Sequence, residues 1–190
     1  MIVVTVCTAN LCRSPFAARV LQRAFDFGGV DVTVVSTGVD VREGSMPPRG
    51  WIDVAAEFGI DLRSHRSVDP HGVLAAADLV LTMTADHSRA VAMGWPELIG
   101  RVTTLGEAAR RVGSAPLATD PVAALVGARR GRDVLLASNQ DDIADPVRRF
   151  RRFKRSVATQ IVVLSEHLAA SWPSGPVGEP GDVGETGKRE

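Results

Sequence analysis

The stretch IVVTVCTANLCRSPFAARVLQRAFDFGG, residues 2–29, places an apolar run, a cysteine-containing loop and an amphipathic segment in direct succession. Residues 2–6 are apolar and mostly β-branched, which predicts a buried strand. Apolar side chains then recur at helical spacing over residues 14–27, where Ser14 is expected to cap the helix and Pro15 to take its first position. The Gly-Gly pair that follows predicts the end of this helix. A strand, a loop and a helix in this order favour an α/β fold.

The rest of the chain repeats this alternation of strand and helix. Further strands are predicted at residues 31–36, 78–83 and 101–105, and further helices at residues 49–58, 86–93 and 147–170. Strands that alternate with helices pair in parallel, so we expect a parallel sheet of four strands. The domain is predicted to cover residues 1–170, with an insertion or mobile loop at 113–137 that is rich in Ala, Gly and Arg. A tail at 171–190 is dense in Pro, Gly and charge and is predicted to be disordered.

The composition restricts the kinds of partner that the chain is expected to have. Of its 190 residues, 45% are hydrophobic and 23% are charged, which is typical of a globular domain with a core. The 22 basic residues equal the 22 acidic ones in number, so no net field favours nucleic acid or a membrane surface. The sequence has no apolar run of about 20 residues and no signal-peptide pattern at its start. With only two cysteines, we expect a reducing, cytoplasmic location.

Cys7, Arg13 and Ser14 form a compact pattern between the first predicted strand and the first predicted helix. The end of a parallel strand carries a loop to the ligand-binding edge of an α/β sheet, and the start of a helix offers free N–H groups and the positive end of its dipole. Such a loop wraps a tetrahedral anion well, and a guanidinium group binds two phosphate oxygens at once. We therefore predict a phosphate-binding loop around a thiolate of Cys7, which the same donors stabilise.

Other roles for the two cysteines compete with this prediction. A free cysteine is most often an inert buried side chain, and Cys7 is open to that role. A zinc site is disfavoured because Cys7 and Cys12 have C-x4-C spacing and no second ligand pair lies nearby, so neither a metal nor another cofactor is expected. Oxidation to a Cys7–Cys12 disulfide would protect the nucleophile, and a thiol redox sensor is therefore one alternative function.

The segment VCTANLCRSP, residues 6–15, resembles the phosphate-binding signature of the low-molecular-weight protein tyrosine phosphatases. Over residues 1–170 this resemblance implies a three-layer α/β/α fold with a small twisted sheet, and a metal-free mechanism through a phosphocysteine. It also implies that Cys7 is the nucleophile and that Arg13 binds the phosphate and the transition state. The implied phosphate-binding loop consists of Thr8, Ala9, Asn10, Leu11, Cys12, Arg13 and Ser14.

The resemblance adds expectations for single positions of the loop. It implies that Asn10 and Ser14 shape the loop, and that Ser14 also helps Cys7 to remain ionised. Ala9 stands where the family usually has glycine, which would cost about 1 kcal/mol if that position needs a positive φ. Leu11 is apolar, as expected for aryl substrates, whereas related phosphoarginine phosphatases have a threonine at this position.

The mechanism needs a carboxyl group that protonates the leaving oxygen and later accepts a proton from water. Asp120 and Asp145 are candidates, because each precedes a proline that holds the aspartate in an extended shape. Asp145 is favoured because it stands directly before the last predicted helix, where the family has its Asp-Pro loop. Capping of that helix, with Pro146 as its first residue, is the alternative role for Asp145. Val147 follows, where the family often has aromatic residues.

Several other polar residues receive supporting or structural roles. Ser36 and His65 resemble the residues that hydrogen-bond the loop asparagine in this family, so we expect them to support Asn10. The remaining histidines are expected at the surface or in packing positions: His71, His87 and His167.

The basic run RRFRRFKR, residues 148–155, predicts an amphipathic start of the last helix. Phe150 and Phe153 are three residues apart and are expected to face the core, while the arginines form a solvated face. Attraction of acidic or phosphorylated partners to the side near Asp145 is the alternative.

Together these residues predict a phosphomonoester hydrolase, in particular a protein tyrosine phosphatase that acts on phosphorylated proteins or small aryl phosphates. The catalytic residues would be Cys7, Arg13 and Asp145. A non-catalytic phosphopeptide-binding module is the main alternative beside the redox sensor. An arsenate reductase of similar fold is disfavoured, because it relays electrons through cysteines that this chain lacks. No nucleic-acid or membrane partner is expected.

Overall fold

Four parallel strands form one sheet in the order β2-β1-β3-β4 in the computed structural model, which describes residues 1–112, 120–127 and 131–173. The strands are β1 Ile2–Cys7, β2 Thr33–Gly38, β3 Leu79–Thr82 and β4 Val102–Thr104. After β1 the chain moves to one side of that strand to form β2 and to the other side to form β3. Ligands of open α/β sheets bind where the strand order reverses in this way, so the carboxyl end of β1 is the expected site.

Helices connect the strands and cover the sheet. The α-helices of the described residues are α1 Arg13–Phe27, α2 Arg49–Glu57, α3 Pro70–Ala75, α4 Ala85–Gly94, α5 Leu105–Val112, α6 Pro121–Val126, α7 Gly131–Leu135 and α8 Arg151–Ala170. Short 3₁₀ helices lie at Pro96–Arg101 and Asn139–Asp141. No helix in the described ranges is long and apolar enough to cross a bilayer.

The core lies on both faces of the sheet, because successive side chains of a strand point to opposite faces. On one face Val3 and Leu79 pack with apolar side chains of α1, α2, α5 and α8. On the other face Val4 and Val80 pack with side chains of α3, α4 and α7. The three-layer α/β/α architecture and the four-stranded parallel sheet that the sequence predicts are thus confirmed.

The first helix begins two residues earlier than predicted, at Arg13 instead of Pro15, which changes the role of Ser14. The N-cap is Cys12, which makes no side-chain capping hydrogen bond, and Arg13 is the first helical residue. Ser14 is therefore inside the first turn, where its hydroxyl is free to reach β1 and β2. The prediction that Ser14 caps the helix and Pro15 starts it is wrong. The second strand also lies two residues later than predicted.

The last helix begins at Arg151, four residues after the predicted start. Arg148 has φ 58°, a left-handed conformation that cannot continue a right-handed helix. The predicted solvated face is confirmed, since the arginines of the run are exposed and Arg151 and Arg155 pair with Glu57. Phe150, however, precedes the helix and is 89% exposed, so its predicted place in the core is wrong. Phe153 does pack against the core.

The segments that depart from the α/β pattern are described only in part. Helices α6 and α7 lie within the segment 113–137, whereas residues 113–119 and 128–130 lie outside the described part of the chain. The insertion or mobile loop at 113–137 stays a prediction. Of the predicted tail, residues 174–190 lie outside the described residues.

Candidate active site

The loop that follows β1 is packed directly against the end of β2. Cys7 pairs with Gly38, and the backbone N–H of Asp40 donates to the carbonyl oxygen of Thr8 at 2.9 Å. A Cβ atom on Gly38 would lie 2.2 Å from the Thr8 oxygen and 2.8 Å from the Asn10 nitrogen, too close for any side chain. The loop therefore requires glycine at position 38. Glycine at the end of a strand beside such a loop is a sequence signal of close backbone approach.

Asn10 gives the loop its turn. Its φ is 55°, a left-handed conformation that asparagine adopts more readily than most residues. Among the described residues only Asn10 and Arg148 have a positive φ without being glycine, so Ala9 is not strained. The strain that would have accompanied a positive φ at Ala9 does not arise.

The side chain of Asn10 is fully buried and hydrogen-bonded at both ends. Its Nδ2 donates to the hydroxyl oxygens of Ser14 at 3.0 Å and Ser36 at 2.9 Å, and its Oδ1 accepts the backbone N–H of Val68 at 3.0 Å. These contacts satisfy the buried amide and fix the loop between β2 and the segment at Val68.

His65 holds the backbone of the same residue. Its Nε2 lies 2.8 Å from the carbonyl oxygen of Asn10, so this nitrogen carries the hydrogen and donates it. Burial lowers the pKa of His65, which favours the neutral ring. Ser36 and His65 thus both contact Asn10, as expected, one at its side chain and the other at its backbone.

The sulfur of Cys7 lies 3.0 Å from the hydroxyl oxygen of Ser14. That hydroxyl also lies 2.9 Å from the carbonyl oxygen of Thr37, to which it is able to donate. A hydroxyl has a single hydrogen, so Ser14 donates either to the Thr37 oxygen or to the sulfur. A protonated Cys7 fits the first arrangement and a thiolate fits the second. Asn10, which donates to the Ser14 oxygen, is compatible with both.

The second cysteine, Cys12, is protonated. Burial raises the pKa of Cys12 to about 12, and the negative charges of Cys7 and Asp145 act in the same direction. Cys12 therefore remains a thiol at neutral pH. Both cysteines are free, and the Cys7–Cys12 disulfide stays a prediction.

Arg13 connects the loop to the segment that carries Asp145. The guanidinium group is buried, its Nη1 donates to the carbonyl oxygen of Ile143 at 2.9 Å, and its Nη2 lies 3.5 Å from Oδ2 of Asp145. The segment is held in turn by a 2.8 Å hydrogen bond from the N–H of Ile143 to the carbonyl oxygen of Met83. Residues 130 positions apart in sequence thus meet at the end of the sheet.

Asp145 itself is only lightly fixed. Its side chain is 55% exposed, and Oδ1 accepts the N–H of Val147 at 2.9 Å in a local turn. It does not cap α8, which begins six residues later, so the alternative role of helix capping is wrong for this residue. The other candidate, Asp120, does cap a helix: its Oδ1 accepts the N–H of Ala123 at 3.0 Å at the start of α6.

His87 is a polar contact of the loop that the sequence analysis missed. The sequence predicts His87 at the surface or in a packing position. In the structure it is buried, and its Nε2 lies 2.9 Å from the hydroxyl oxygen of Thr8. No local sequence pattern predicts a contact between residues 79 positions apart. Within the described residues, no three His, Cys, Asp or Glu side chains are grouped so that they could hold a metal ion.

Comparison with known proteins identifies a family match over most of the chain. The family model described as low molecular weight phosphotyrosine protein phosphatase matches residues 2–124. A probable low molecular weight protein-tyrosine-phosphatase EpsP of Ralstonia solanacearum is 34% identical over 106 residues, which are 55% of this chain and 70% of that protein. A protein-arginine-phosphatase of Bacillus subtilis is 31% identical over 107 residues, 56% of this chain and 71% of that protein.

Solved structures resemble a larger part of the chain. The low molecular weight protein tyrosine phosphatase from T. tengcongensis superposes with a TM-score of 0.66 at 27% identity. That match covers 90% of this chain and 98% of the other, and so extends beyond the residues that the family model matches.

Proposed function

The chain belongs to the low molecular weight phosphotyrosine protein phosphatase family, and from this premise we propose that it hydrolyses phosphotyrosine with Cys7 as the nucleophile and Asp145 as the general acid and base. The observation that carries this assignment is the contact of Arg13 with Asp145, which brings the acid next to the loop that holds the cysteine. Binding of phosphate without chemistry would need neither the cysteine nor the carboxyl group.

In the first step the loop N–H groups and Arg13 bind the phosphate oxygens, and the sulfur of Cys7 attacks phosphorus. An S–P bond forms, the P–O bond to the tyrosine breaks, and Asp145 gives its proton to the departing oxygen. The contact of Arg13 with Asp145 places the carboxyl group near the oxygen that departs.

In the second step water attacks the phosphorus of the phosphocysteine. Asp145, now ionised, accepts a proton from this water, and the S–P bond breaks with its electron pair on Cys7. Ser14 supports Cys7 as the leaving group, because its hydroxyl lies at hydrogen-bond distance from the sulfur that leaves as a thiolate. Neither step requires a metal.

The proposal is tested with Cys7→Ser and Asp145→Asn, and Asp120→Asn is the matched control because Asp120 also precedes a proline but caps α6. Cys7→Ser is expected to lower the rate with p-nitrophenyl phosphate by at least about a thousandfold. Asp145→Asn should slow the hydrolysis of phenyl phosphate, whose phenolate is a poor leaving group, much more than that of p-nitrophenyl phosphate. Full activity of Cys7→Ser would overturn the assignment and leave the binding module or the redox sensor as the function.

The substrate class is the second part of the proposal. Leu11, a member of the loop, has an apolar side chain that packs in part against the core. An apolar residue at this position favours the ring of tyrosine over a guanidinium group. The relatives include proteins named as tyrosine phosphatases and one named as an arginine phosphatase. Peptides with phosphotyrosine and with phosphoarginine distinguish the two substrates. A kcat/KM higher for the phosphoarginine peptide would show that the substrate class is wrong while the mechanism stands.

The cytoplasm is the proposed location, because both cysteines are free in the fold. Phosphorylated proteins or small aryl phosphates are the proposed partners.

A further inference from the structure

Thr8 places a hydroxyl group next to the nucleophile. It directly follows Cys7, it is exposed, and its carbonyl oxygen is fixed by the N–H of Asp40. Its Oγ1 lies 2.9 Å from Nε2 of His87, a side chain that is only 6% exposed. The exposed hydroxyl of Thr8 thus lies at hydrogen-bond distance from the buried imidazole of His87.

Thr84 is the second hydrogen-bond partner of the His87 ring. Thr84 is the N-cap of α4, and its Oγ1 accepts the backbone N–H of His87 at 3.2 Å. The same oxygen lies 2.8 Å from Nδ1 of His87. The hydroxyl of Thr84 is able to donate its hydrogen to Nδ1 or to accept a hydrogen from it. Where Thr84 donates, the ring hydrogen is on Nε2 and is donated to Thr8, whose own hydrogen is left for a group in the site.

This group lies on the side of the loop that faces the acid. Burial is the first cause that lowers the pKa of His87 to about 4, and the charge of Arg13 lowers it further, while Asp86 and Asp145 act in the opposite direction. The ring is therefore within electrostatic range of both Arg13 and Asp145. The start of α4 is also tied to the acid segment, because the N–H of Ala85 donates to Oδ1 of Asp142 at 2.7 Å.

We propose that Thr8, positioned by His87 and Thr84, binds the water molecule that hydrolyses the phosphocysteine; this inference rests on the proposed function. The hydroxyl of Thr8 donates to one lone pair of the water, and the other lone pair attacks phosphorus. Asp145 accepts one water proton, the new P–O bond forms, and the S–P bond breaks with its electron pair on the sulfur of Cys7. Thr8 then acts mainly in the second step, and His87 is a positioning residue.

The experiment separates the two steps by rapid mixing with p-nitrophenyl phosphate. The burst of p-nitrophenol reports formation of the phosphocysteine, and the steady-state rate reports its hydrolysis when the second step is slow. Thr8→Val removes the hydroxyl and keeps the shape of the side chain. We expect an unchanged burst rate constant, within about twofold, and a steady-state rate that falls about tenfold.

Three further variants show whether the effect depends on the hydroxyl of Thr8 and on its hydrogen bond to His87. Thr8→Ser retains the hydroxyl and is expected to keep the wild-type steady-state rate within about threefold. His87→Gln offers a side-chain N–H to Thr8 and should retain more of the second step than His87→Leu, which offers none. Equal melting temperatures of Thr8→Val and Thr8→Ser would exclude a loss of folding as the cause.

Contrary outcomes are equally distinct. A slower burst in Thr8→Val would assign the hydroxyl to the first step, and an unchanged steady-state rate would leave it without a role; either result overturns the inference. If the wild-type protein showed neither a burst nor turnover, the proposed function itself would be contradicted.

Discussion

The loop that holds the proposed nucleophile and the segment that carries the proposed acid are fixed to different degrees. Over residues 7–14 the side chains of Asn10 and Ser14 are buried and hydrogen-bonded. Asn10 contacts Ser36 of β2 and the N–H of Val68, and Ser14 contacts the carbonyl oxygen of Thr37 of β2. The acid segment, residues 142–150, is anchored at Asp142 and Ile143 and then exposes Asp145 and Phe150. In the proposed mechanism the loop presents donors that need no rearrangement, whereas Asp145 gives up a proton and later accepts one.

The largest expected effect comes from breaking the close approach on which the loop depends. Gly38→Ala would place a Cβ 2.2 Å from the Thr8 oxygen, so the loop or the end of β2 must shift. We expect the phosphatase rate to fall more than a hundredfold and the free energy of unfolding to fall by about 3 kcal/mol.

The control for Gly38→Ala is Gly72→Ala, since a Cβ on Gly72 in α3 meets no atom within 4 Å. This control should leave the rate unchanged and should not lower the free energy of unfolding, because alanine has a higher helix propensity than glycine. Denaturant unfolding and the rate with p-nitrophenyl phosphate check both variants. A fully active Gly38→Ala protein would show that the loop tolerates movement and would remove the contrast with the acid segment.

The next largest effect is expected from Asn10→Ala. This change removes the hydrogen bonds to Ser14 and Ser36, leaves the N–H of Val68 without its acceptor, and puts alanine at φ 55°. A buried unpaired group costs about 1–3 kcal/mol and the left-handed conformation about 1–2 kcal/mol, so the free energy of unfolding should fall by about 3 kcal/mol. Chemical denaturation measures it. A loss below about 1 kcal/mol would mean that the loop is held by its backbone alone.

A smaller effect concerns pH, because imidazoles contact the loop on two sides. The pKa of His87 is lowered to about 4 and that of His65 is also lowered, chiefly by burial. Below the histidine pKa of about 6.5 in the unfolded chain, the unfolded chain binds protons that the folded chain does not bind. Stability is therefore full above that pH and falls as the pH drops. For His87 the loss between pH 7 and pH 5 is about 2 kcal/mol.

Unfolding free energies at pH 7 and pH 5 check this pH prediction. His87→Gln should lose much of the difference, whereas His71→Gln, at an exposed position of α3, should keep it. The same pH dependence in both variants would contradict the assignment to His87.

The smallest effect is expected in the acid segment itself. Phe150 is 89% exposed, so Phe150→Ala should change the free energy of unfolding by less than about 0.5 kcal/mol. Phe153 packs against the core and carries the guanidinium of Arg149 above its ring, so Phe153→Ala should cost more than about 1 kcal/mol. Thermal or denaturant melts of the two variants compare them directly. Equal losses would mean that Phe150 packs in solution and that the segment is less open than described.

The sequence predicted best those features that depend on local pattern. The apolar run before Cys7 and the helical spacing after it fix β1 and α1, and the resemblance of the loop pointed to Asn10, Ser36 and His65. Position 14 was predicted less well, because a helix-capping serine and a serine in the first turn look the same in sequence. The contact of its hydroxyl with the sulfur, in contrast, agrees with the expectation from the resemblance that Ser14 helps Cys7 to remain ionised.

The features that escaped prediction depend on contacts between distant residues. The need for glycine at position 38 arises from the path of another segment, and His87 meets Thr8 across 79 positions. The core position predicted for Phe150 is wrong because helical spacing was extended back through Arg148, whose left-handed φ lies before the start of the helix at Arg151. Spacing along the chain carries no information on such breaks.

The raised pKa of Cys12 has a consequence for chemical labelling of this protein. Alkylating reagents such as iodoacetamide react with thiolates, and a thiol with a pKa of about 12 supplies almost none at neutral pH. Cys12 is therefore expected to remain unlabelled in the folded protein. A covalent inhibitor or activity-based probe directed at Cys7 would then not be consumed by the second cysteine.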